Sequence, residues 1–147
     1  MQIIAKNKKA FFDYEILKRF EAGLHLFGSE IKSIREKNVN LSGSYVSMRN
    51  NEVYWKNGFI KHWRFASGEL PGELRDRKLL LKKKEIREIE KALNEDGGTV
   101  IPLVLFIKNG FAKMDIALAR GKKKYDKRET IKKRDMEREI EQKIKAR

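Results

Sequence analysis

The chain of 147 residues contains no cysteine, two histidines and no long apolar run. Without cysteine, a disulfide framework and a thiolate metal site are excluded. The longest apolar stretch, residues 100–107, is far shorter than the roughly 18 residues of a membrane-spanning helix. The first residues also lack the apolar centre of a secretion signal. These absences favour a cytoplasmic protein of about one domain that does not enter the membrane.

Sequence patterns of catalysis are also missing. The motifs GxSxG and HExxH, a Walker loop and a paired-carboxylate motif do not occur. His25 falls in a predicted strand and His62 in a predicted loop, and a single strand histidine is more often structural than catalytic. We therefore expect a protein that is not an enzyme and that has no cofactor and no metal site.

Positive charge is what the chain has in excess. The formal net charge is +14 and the pI is about 10.0, which favours nucleic acid as the partner. Residues 120–147 hold 13 Lys and Arg against 6 Asp and Glu, which is half of the excess. Because this segment has little apolar surface to offset the entropy of ordering it, it should be disordered alone. The chain thus divides into a folded body, 1–120, and a basic C-terminal tail, 121–147.

Alternating apolar residues predict several short strands in the body. Two aromatic-rich runs, 11–17 and 20–27, favour strands, and Gly23 in the second indicates a bulge or a close backbone approach. Three further runs predict a three-stranded meander, namely residues 44–49, 52–56 and 59–60.

The clearest hairpin signal is Asn109-Gly110, which joins alternating runs over 99–108 and 111–120. Between the meander and this hairpin, residues 62–77 are rich in Gly, Pro and charge and predict an exposed loop.

Two helices are predicted beside the strands, at 30–37 with Ser29 as N-cap and at 83–94 with an apolar stripe. Together these elements predict a mainly β protein. We expect a small antiparallel OB-fold-like β-barrel with two to three flanking α-helices and a basic C-terminal tail.

Basic side chains scattered over the body are candidates for a phosphate-facing patch. Trp55 and Trp63 are candidate stacking platforms, although the alternation around Trp55 favours a core position. The basic candidates are Lys8, Lys9, Lys32, Arg35, Arg75, Arg77, Lys78, Lys82, Lys83, Lys84 and Lys113.

The tail admits two interpretations. As a fraying solvated helix, it gains about 0.2–0.5 kcal/mol from each favourable i, i+4 pair, while like-charge pairs oppose them. As an arm that folds against RNA, it would use the stripe of Met136, Ile140 and Ile144 for docking. We favour the arm. Tyr125, alone among charges, fits equally well as a hinge covering the barrel edge and as a ring that stacks on an unpaired base.

Several blocks resemble the SsrA-binding protein (small protein B) family, the bacterial partners of transfer-messenger RNA in ribosome rescue. The blocks occur in the family's order and cover nearly the whole chain. They are Asn7-x-x-Ala10-x-x-x-Tyr14, Glu21-Ala22-Gly23-x-x-Leu26-x-Gly28-Ser29-Glu30-Ile31-Lys32-Ser33-Ile34-Arg35, Asn40-Leu41-x-x-Ser44-Tyr45, Arg77-Lys78-Leu79-Leu80-Leu81, Lys108-Asn109-Gly110 and Gly121-Lys122-Lys123-x-Tyr125-Asp126-Lys127-Arg128.

The resemblance implies that the barrel binds the tRNA-like domain of transfer-messenger RNA. Lysine and arginine would hold phosphates, a carboxylate would accept from a base amino group or a 2′-OH, and a leucine would face an unstacked base. The matching positions are Asn7, Lys8, Glu21, Glu30, Lys32, Arg35, Asn40, Lys78, Leu80 and Lys113.

For the tail, the resemblance implies a helix that forms on the ribosome, in the decoding centre and the empty mRNA channel of the small subunit. It also implies aminoacylated transfer-messenger RNA bound to the elongation factor that delivers tRNA as a partner, and a monomeric protein. The tail positions implied are Tyr125, Asp126, Lys127, Arg128, Lys132, Lys133 and Arg134.

The chain departs from the family pattern in the predicted loop, where Lys61-His62-Trp63 replaces a common Ser/Thr-Pro and where Asp76 is unusual. We therefore assign this loop no contacts. Ser29 also stands where the family often has Thr or Trp. Two other functions remain as alternatives: a general RNA-binding barrel protein of ribosome assembly or initiation, and a metal-dependent nuclease.

Overall fold

Strands dominate the computed structural model, which describes residues 1–95, 97–122 and 134. In chain order the elements of these residues are β1 (Gln2–Lys6), α1 (Lys8–Asp13), β2 (Tyr14–Leu24), α2 (Gly28–Arg35), β3 (Val39–Asn40), β4 (Tyr45–Arg49), β5 (Glu52–Lys56), β6 (Phe59–Ile60), β7 (Arg77–Leu80), α3 (Lys83–Leu93), β8 (Gly98–Lys108) and β9 (Phe111–Gly121).

Seven of the strands form one antiparallel sheet in the order β1-β8-β9-β2-β7-β5-β4, and β3 pairs with β6 in a second, two-stranded sheet. The mainly β, OB-like prediction is confirmed. In the part of the chain described here, however, no hydrogen-bonded ladder joins β4 to β1, so the sheet does not close as a barrel. Instead β4 lies against β8 and β1 lies against β3, which brings the two ends of the curved sheet together.

The main core cluster lies against one face of this sheet, and a second buried cluster, with Leu103 and Phe106, packs against Ala10 of α1. Trp55, Leu79 and Met114 are fully buried in the main core cluster beside Ile34 of α2 and Ile89 of α3. The predicted core position of Trp55 is therefore confirmed. Gly58 lies directly on the Trp55 ring, where an added Cβ would come 2.0 Å from Cζ2, so a side chain at position 58 would displace the indole.

Residues 11–13 are helical, so the predicted strand over 11–17 is wrong in its first half. Asn7 caps α1, because its side-chain oxygen accepts from the backbone N–H of Ala10 at 3.3 Å. The Asn7 amide also donates to the Pro102 carbonyl at 3.0 Å. This cap, together with the burial of Ala10, outweighs the β propensity of Phe11 and Phe12.

The predicted meander is wrong in its third strand. β4 and β5 pair as expected, but β6 leaves the large sheet and pairs with β3, with Val39 opposite Ile60. Asn57 has a positive φ of 59°, and the chain turns away where Gly58 covers Trp55. Ser29 is not the N-cap of α2, since the helix begins at Gly28, two residues earlier than predicted, and Phe27 is the N-cap.

The hairpin of β8 and β9 and the helix α3 form where they were predicted. Asn109 and Gly110 have φ values of 52° and 81°, as a two-residue type I′ turn requires. Among the described residues, no helix has both the length and the apolar character needed to cross a membrane.

Candidate nucleic-acid interface

The face of the large sheet that is turned away from the main core cluster brings together four of the predicted RNA contacts. Gly23 in β2 stands opposite Leu80 in β7 on one side and opposite Lys113 in β9 on the other. Directly paired residues share a face, and so do residues two positions apart, which adds Glu21 and Lys78. Residues from β2, β7 and β9, more than thirty positions apart in sequence, thus form one surface, which we call the outer face.

Gly23 gives Leu80 its place on the outer face. An added Cβ at Gly23 would lie 3.2 Å from the Leu80 Cβ, so the glycine lets the leucine side chain lie across β2. The predicted close approach at Gly23 is thereby confirmed, whereas the bulge of β2 lies between Ile16 and Lys18. Leu80 is 51% exposed and borders a groove of about 600 Å³ whose other walls include Ile86 and Arg87 of α3. An apolar side chain beside such a groove can contact a flat, unstacked base.

Carboxylates on the outer face are held in ion pairs. Glu21 accepts from Lys108 Nζ at 3.3 Å and stands opposite Asp115. Burial raises the pKa of Asp115, with Glu21 adding to the rise and Arg19 opposing it. Because two like charges face each other across the strands, an incoming hydrogen-bond donor would relieve their repulsion.

A second set of charges lies further along the same face. Glu52 accepts from the Tyr54 hydroxyl and, at 3.0 Å, from Lys78 Nζ. These two hydrogen bonds, the Tyr54 bond first, lower the pKa of Glu52. The ion pair with Glu52 therefore orients the Lys78 side chain on the outer face.

Sequence reasoning missed the other members of the outer face on β4 and β5. Tyr54 stands opposite Lys78, and Arg49 lies 4.9 Å over the Tyr54 ring. Tyr45 is 46% exposed and stands opposite Lys56. The alternation Tyr45–Ser47–Arg49 could have indicated an exposed strand face, but nothing in the sequence indicated that β5 would lie beside β7.

Glu30 is placed in the interior and not on the surface. It is 4% exposed and accepts from two arginines, from Arg77 Nε at 2.8 Å and from both Arg75 Nε and Nη2. Burial alone would raise its pKa, but the hydrogen bonds from Arg75, the Phe27 N–H and Arg77 outweigh burial and lower it. Glu30 therefore stays ionised and joins α2 to the segment before β7. The contact of Glu30 with RNA remains a prediction. Both of its carboxylate oxygens already accept hydrogen bonds within the protein.

The assignment of Arg77 to a phosphate-facing patch is wrong. Its side chain is fully buried, with Nη1 donating to the Gly58 carbonyl and Nη2 to the Glu73 carbonyl at 2.9 Å. Burial lowers the pKa of Arg77, against the raising effect of Glu30. A guanidinium can occupy this position because it has enough donors for a carboxylate and several carbonyl oxygens at once.

Lys32 and Arg35 lie on the exposed side of α2, opposite the buried residues Ser33 and Ile34. Lys8 is exposed on α1. Asn40 is exposed in β3, but its side-chain oxygen accepts from Ser42 N–H at 2.8 Å and shapes the following turn. Asn7 is buried and has the capping role given above. The structure thus separates the predicted residues into the outer face, the exposed side of α2 and structural positions.

Six of the predicted ribosome-contacting residues lie outside the described part of the chain, namely Tyr125, Asp126, Lys127, Arg128, Lys132 and Lys133. The expected disorder of the free tail concerns the same part of the chain and stays a prediction. Arg134 is described, and its guanidinium lies 5.2 Å over the ring of Phe12.

An OB-like sheet whose outer face carries cations, tyrosines and an exposed leucine is typical of nucleic-acid-binding proteins. Within the described residues, no group of three or more acidic or histidine side chains is arranged to hold a metal ion.

Comparison with known proteins identifies the family. The model of the family "SmpB protein" matches residues 4–146, and the chain belongs to this family. It is similar to the SsrA-binding protein of Lactococcus lactis subsp. lactis (strain IL1403), with 50% identity over 143 residues that cover 97% of this chain and 92% of that protein. It is also similar to the SsrA-binding protein of Sulfurihydrogenibium sp. (strain YO3AOP1), with 47% identity over 99% of this chain and 95% of that protein.

A solved chain described as "tmRNA-SmpB: a journey to the center of the bacterial ribosome" has the same fold. Its TM-score is 0.68 at 38% sequence identity, and the match covers 82% of this chain and 85% of that chain.

Proposed function

We propose that this protein binds the tRNA-like domain of transfer-messenger RNA and delivers it to stalled ribosomes for trans-translation. The observation that carries the proposal is the outer face, where Leu80, Gly23 and Lys113 stand in one row across three strands beside Glu21 and Lys78. Membership of the SmpB family supports the same function, since the similar proteins are SsrA-binding proteins.

Each residue of the outer face has chemistry that suits a folded RNA. Lys78 and Lys113 neutralise phosphates, and Glu21 accepts from a base amino group or a 2′-OH. Leu80 offers an apolar surface to a base that leaves its stack. Lys32, Arg35 and Lys8 add exposed cations on the neighbouring helices, which strengthen binding without reading sequence.

We assign binding to the small ribosomal subunit to residues 121–147. In this proposal the tail becomes helical in the decoding centre and the mRNA channel of the small subunit, using Tyr125 to Arg128 and Lys132 to Arg134. The protein acts in the cytoplasm as a monomer and meets the elongation factor that delivers tRNA through their common RNA. It performs no catalysis itself. The excess positive charge of 120–147 supports this assignment.

Binding to the isolated tRNA-like domain, compared with an unrelated RNA hairpin at equal salt, tests the proposal. We expect tight binding to the former and binding weaker by at least about a hundredfold to the latter. The variant Lys113→Ala with Lys32→Ala should weaken binding and reduce the slope of log K against log salt by about 1.4–1.8, for two lost phosphate contacts.

The matched control is Lys91→Ala, an exposed lysine near the end of α3, which should leave affinity and slope unchanged. Equal affinity for all RNAs would contradict the proposal in favour of a general RNA-binding protein of ribosome assembly. RNA cleavage that depends on a divalent metal would instead indicate a nuclease.

A further inference from the structure

The loop between β6 and β7, residues 61–76, carries an exposed aromatic pair next to α2. The Trp63 and Phe65 rings meet edge to face, with centroids 5.4 Å apart and planes at 75°. Phe65 is 66% exposed, and Trp63 is only partly buried. Large apolar side chains that neither fill the core nor pack under another element indicate a binding surface.

Cations cover this aromatic pair. Lys32 Nζ of α2 lies 4.2 Å over the Trp63 ring, and the Arg64 guanidinium lies 4.7 Å over the Phe65 ring. Lys61, two residues before Trp63, and Arg35, three residues after Lys32 in α2, are also exposed. The carboxylate of Glu36 lies beside these cations. It accepts a hydrogen bond from Trp63 Nε1 at 3.3 Å and pairs with Arg64 at 3.9 Å. Positive charge therefore remains in excess around the rings.

The loop is fastened at its base. His62 N–H donates to the Glu73 carboxylate at 3.0 Å, and the His62 ring is 2.8 Å from the Pro71 carbonyl. Ile60 N–H donates to the Glu73 carbonyl at 3.0 Å, and Arg77 holds the same carbonyl from the interior. These bonds hold both ends of the loop against β7, so that Trp63 and Phe65 project from an anchored support.

We propose that Trp63 and Phe65, with Lys32 and Arg64, form a stacking platform for unpaired RNA nucleotides, separate from the outer face. Aromatic rings bind bases of any sequence through their faces, while neighbouring cations hold the connecting phosphates. The excess of positive charge favours a polyanion over an apolar peptide, and the exposed faces of two aromatic rings suit the flat bases of RNA. This inference rests on the proposed RNA-binding function and adds a second contact surface to it.

Phe65→Leu is the first test, because it keeps an apolar side chain and removes the stacking face. We expect binding of a single-stranded oligoadenylate to weaken about 5- to 160-fold, the range for losing a base stacked on an aromatic ring. Binding of an RNA duplex of the same length should not change. Phe111→Leu is the matched control, since Phe111 is a 70% exposed phenylalanine at the tip of the β8–β9 hairpin.

Tryptophan fluorescence gives an independent readout. The chain has two tryptophans, and Trp55 is fully buried, so quenching by oligoadenylate reports on Trp63. The variant Trp63→Phe should lose the quenching and keep a folded core, which the remaining Trp55 emission and circular dichroism check. Arg64→Ala should reduce the salt slope of oligoadenylate binding by about 0.7, the value for one phosphate on a single strand.

The results separate this inference from the proposed function. If Phe65→Leu binds oligoadenylate and transfer-messenger RNA like the parent while Lys113→Ala weakens the latter, the platform is refuted and the function stands. If the parent fails to bind the tRNA-like domain, the function itself fails. Unchanged affinity of Phe65→Leu for both RNAs, together with a loss of ribosome association, would also overturn the inference, because the rings would then have a role other than binding single-stranded RNA.

Discussion

Among single residues, Glu30 has the largest effect that we expect on stability. Its carboxylate neutralises the buried Arg77 and the partly buried Arg75, and it accepts from the N-terminus of α2 as well. Removing one partner of a buried ion pair leaves the other charge without compensation, which is far more unfavourable than losing a surface pair.

Glu30→Gln should therefore lower the free energy of unfolding by about 3–5 kcal/mol, measured by urea denaturation. Glu52→Gln is the control, because the Glu52–Lys78 pair is 43% and 39% exposed, and water and salt screen such a surface pair so that its loss changes stability little. Equal effects of the two substitutions would show that Glu30 is not the residue on which the buried arginines depend.

Glu30 also makes the free energy of unfolding depend on pH. Because the folded-state pKa of Glu30 lies below its usual value of 4.5, its contribution is complete above about pH 4.5 and is lost as pH falls through the folded pKa. Between pH 6 and pH 3 the parent should therefore lose more stability than Glu30→Gln does, which urea midpoints at several pH values would measure. Parallel pH profiles for the two proteins would remove Glu30 as the source.

At the scale of elements, α3 is held to the sheet through a narrow contact. Ile89 is its one fully buried residue among those described, and Ile86 and Leu93 pack partly beside it. The exposed side of α3 carries Arg87 and Glu90, which also border the groove next to Leu80. The position of α3 thus affects both the core and one wall of the proposed RNA-binding groove.

Ile89→Ala should lower the free energy of unfolding by about 2–5 kcal/mol, since it leaves a cavity between α3 and β8. Lys91→Ala on the exposed side of the same helix has nearly no such effect. Thermal melts followed by circular dichroism would compare the two, and a small loss for Ile89→Ala would show that α3 contributes little to the core.

For the whole molecule, the structure shows that the folded body includes residues beyond the predicted boundary at 120. β9 runs to Gly121, and Lys122 N–H donates to the Asp13 carbonyl at 2.9 Å while Lys122 Nζ donates to the Phe11 carbonyl. Lys122 therefore belongs with the body, two residues beyond the boundary predicted from charge. A truncation that preserves the body should keep both residues.

A protein ending at Lys122 should bind transfer-messenger RNA within about threefold of the full chain at high salt, because the outer face is retained. It should fail to support peptide tagging on stalled ribosomes, since the proposed decoding-centre residues are gone. A reconstituted tagging assay, with filter binding of the RNA in parallel, measures both. Tagging by the truncated protein would contradict the division of labour between body and tail.

Local sequence signals were enough to predict the elements that are stabilised by interactions between residues close in sequence. The hairpin at Asn109-Gly110 and the helix over Lys83–Leu93 depend on turn conformation and on helical spacing, both of which are readable within a few residues. The alternation around Trp55 likewise predicted a core residue. Conversely, the strand predicted over residues 11–13 failed because Asn7 is fixed by Pro102, a residue 95 positions away.

The sequence by itself determined that this is a basic, cysteine-free, mainly β protein with half of its excess charge near the C-terminus, because composition and short-range periodicity are properties of the chain alone. Only the tertiary structure decided that Arg77 is buried while its neighbour Lys78 is partly exposed, since Glu30, 47 positions before Arg77, supplies the compensating charge. It also decided that Glu21, Leu80 and Lys113 share a face, because strand order and register bring distant residues together. The pairing of strands depends on residues that are far apart in the sequence, so no single segment of the sequence is enough to predict it.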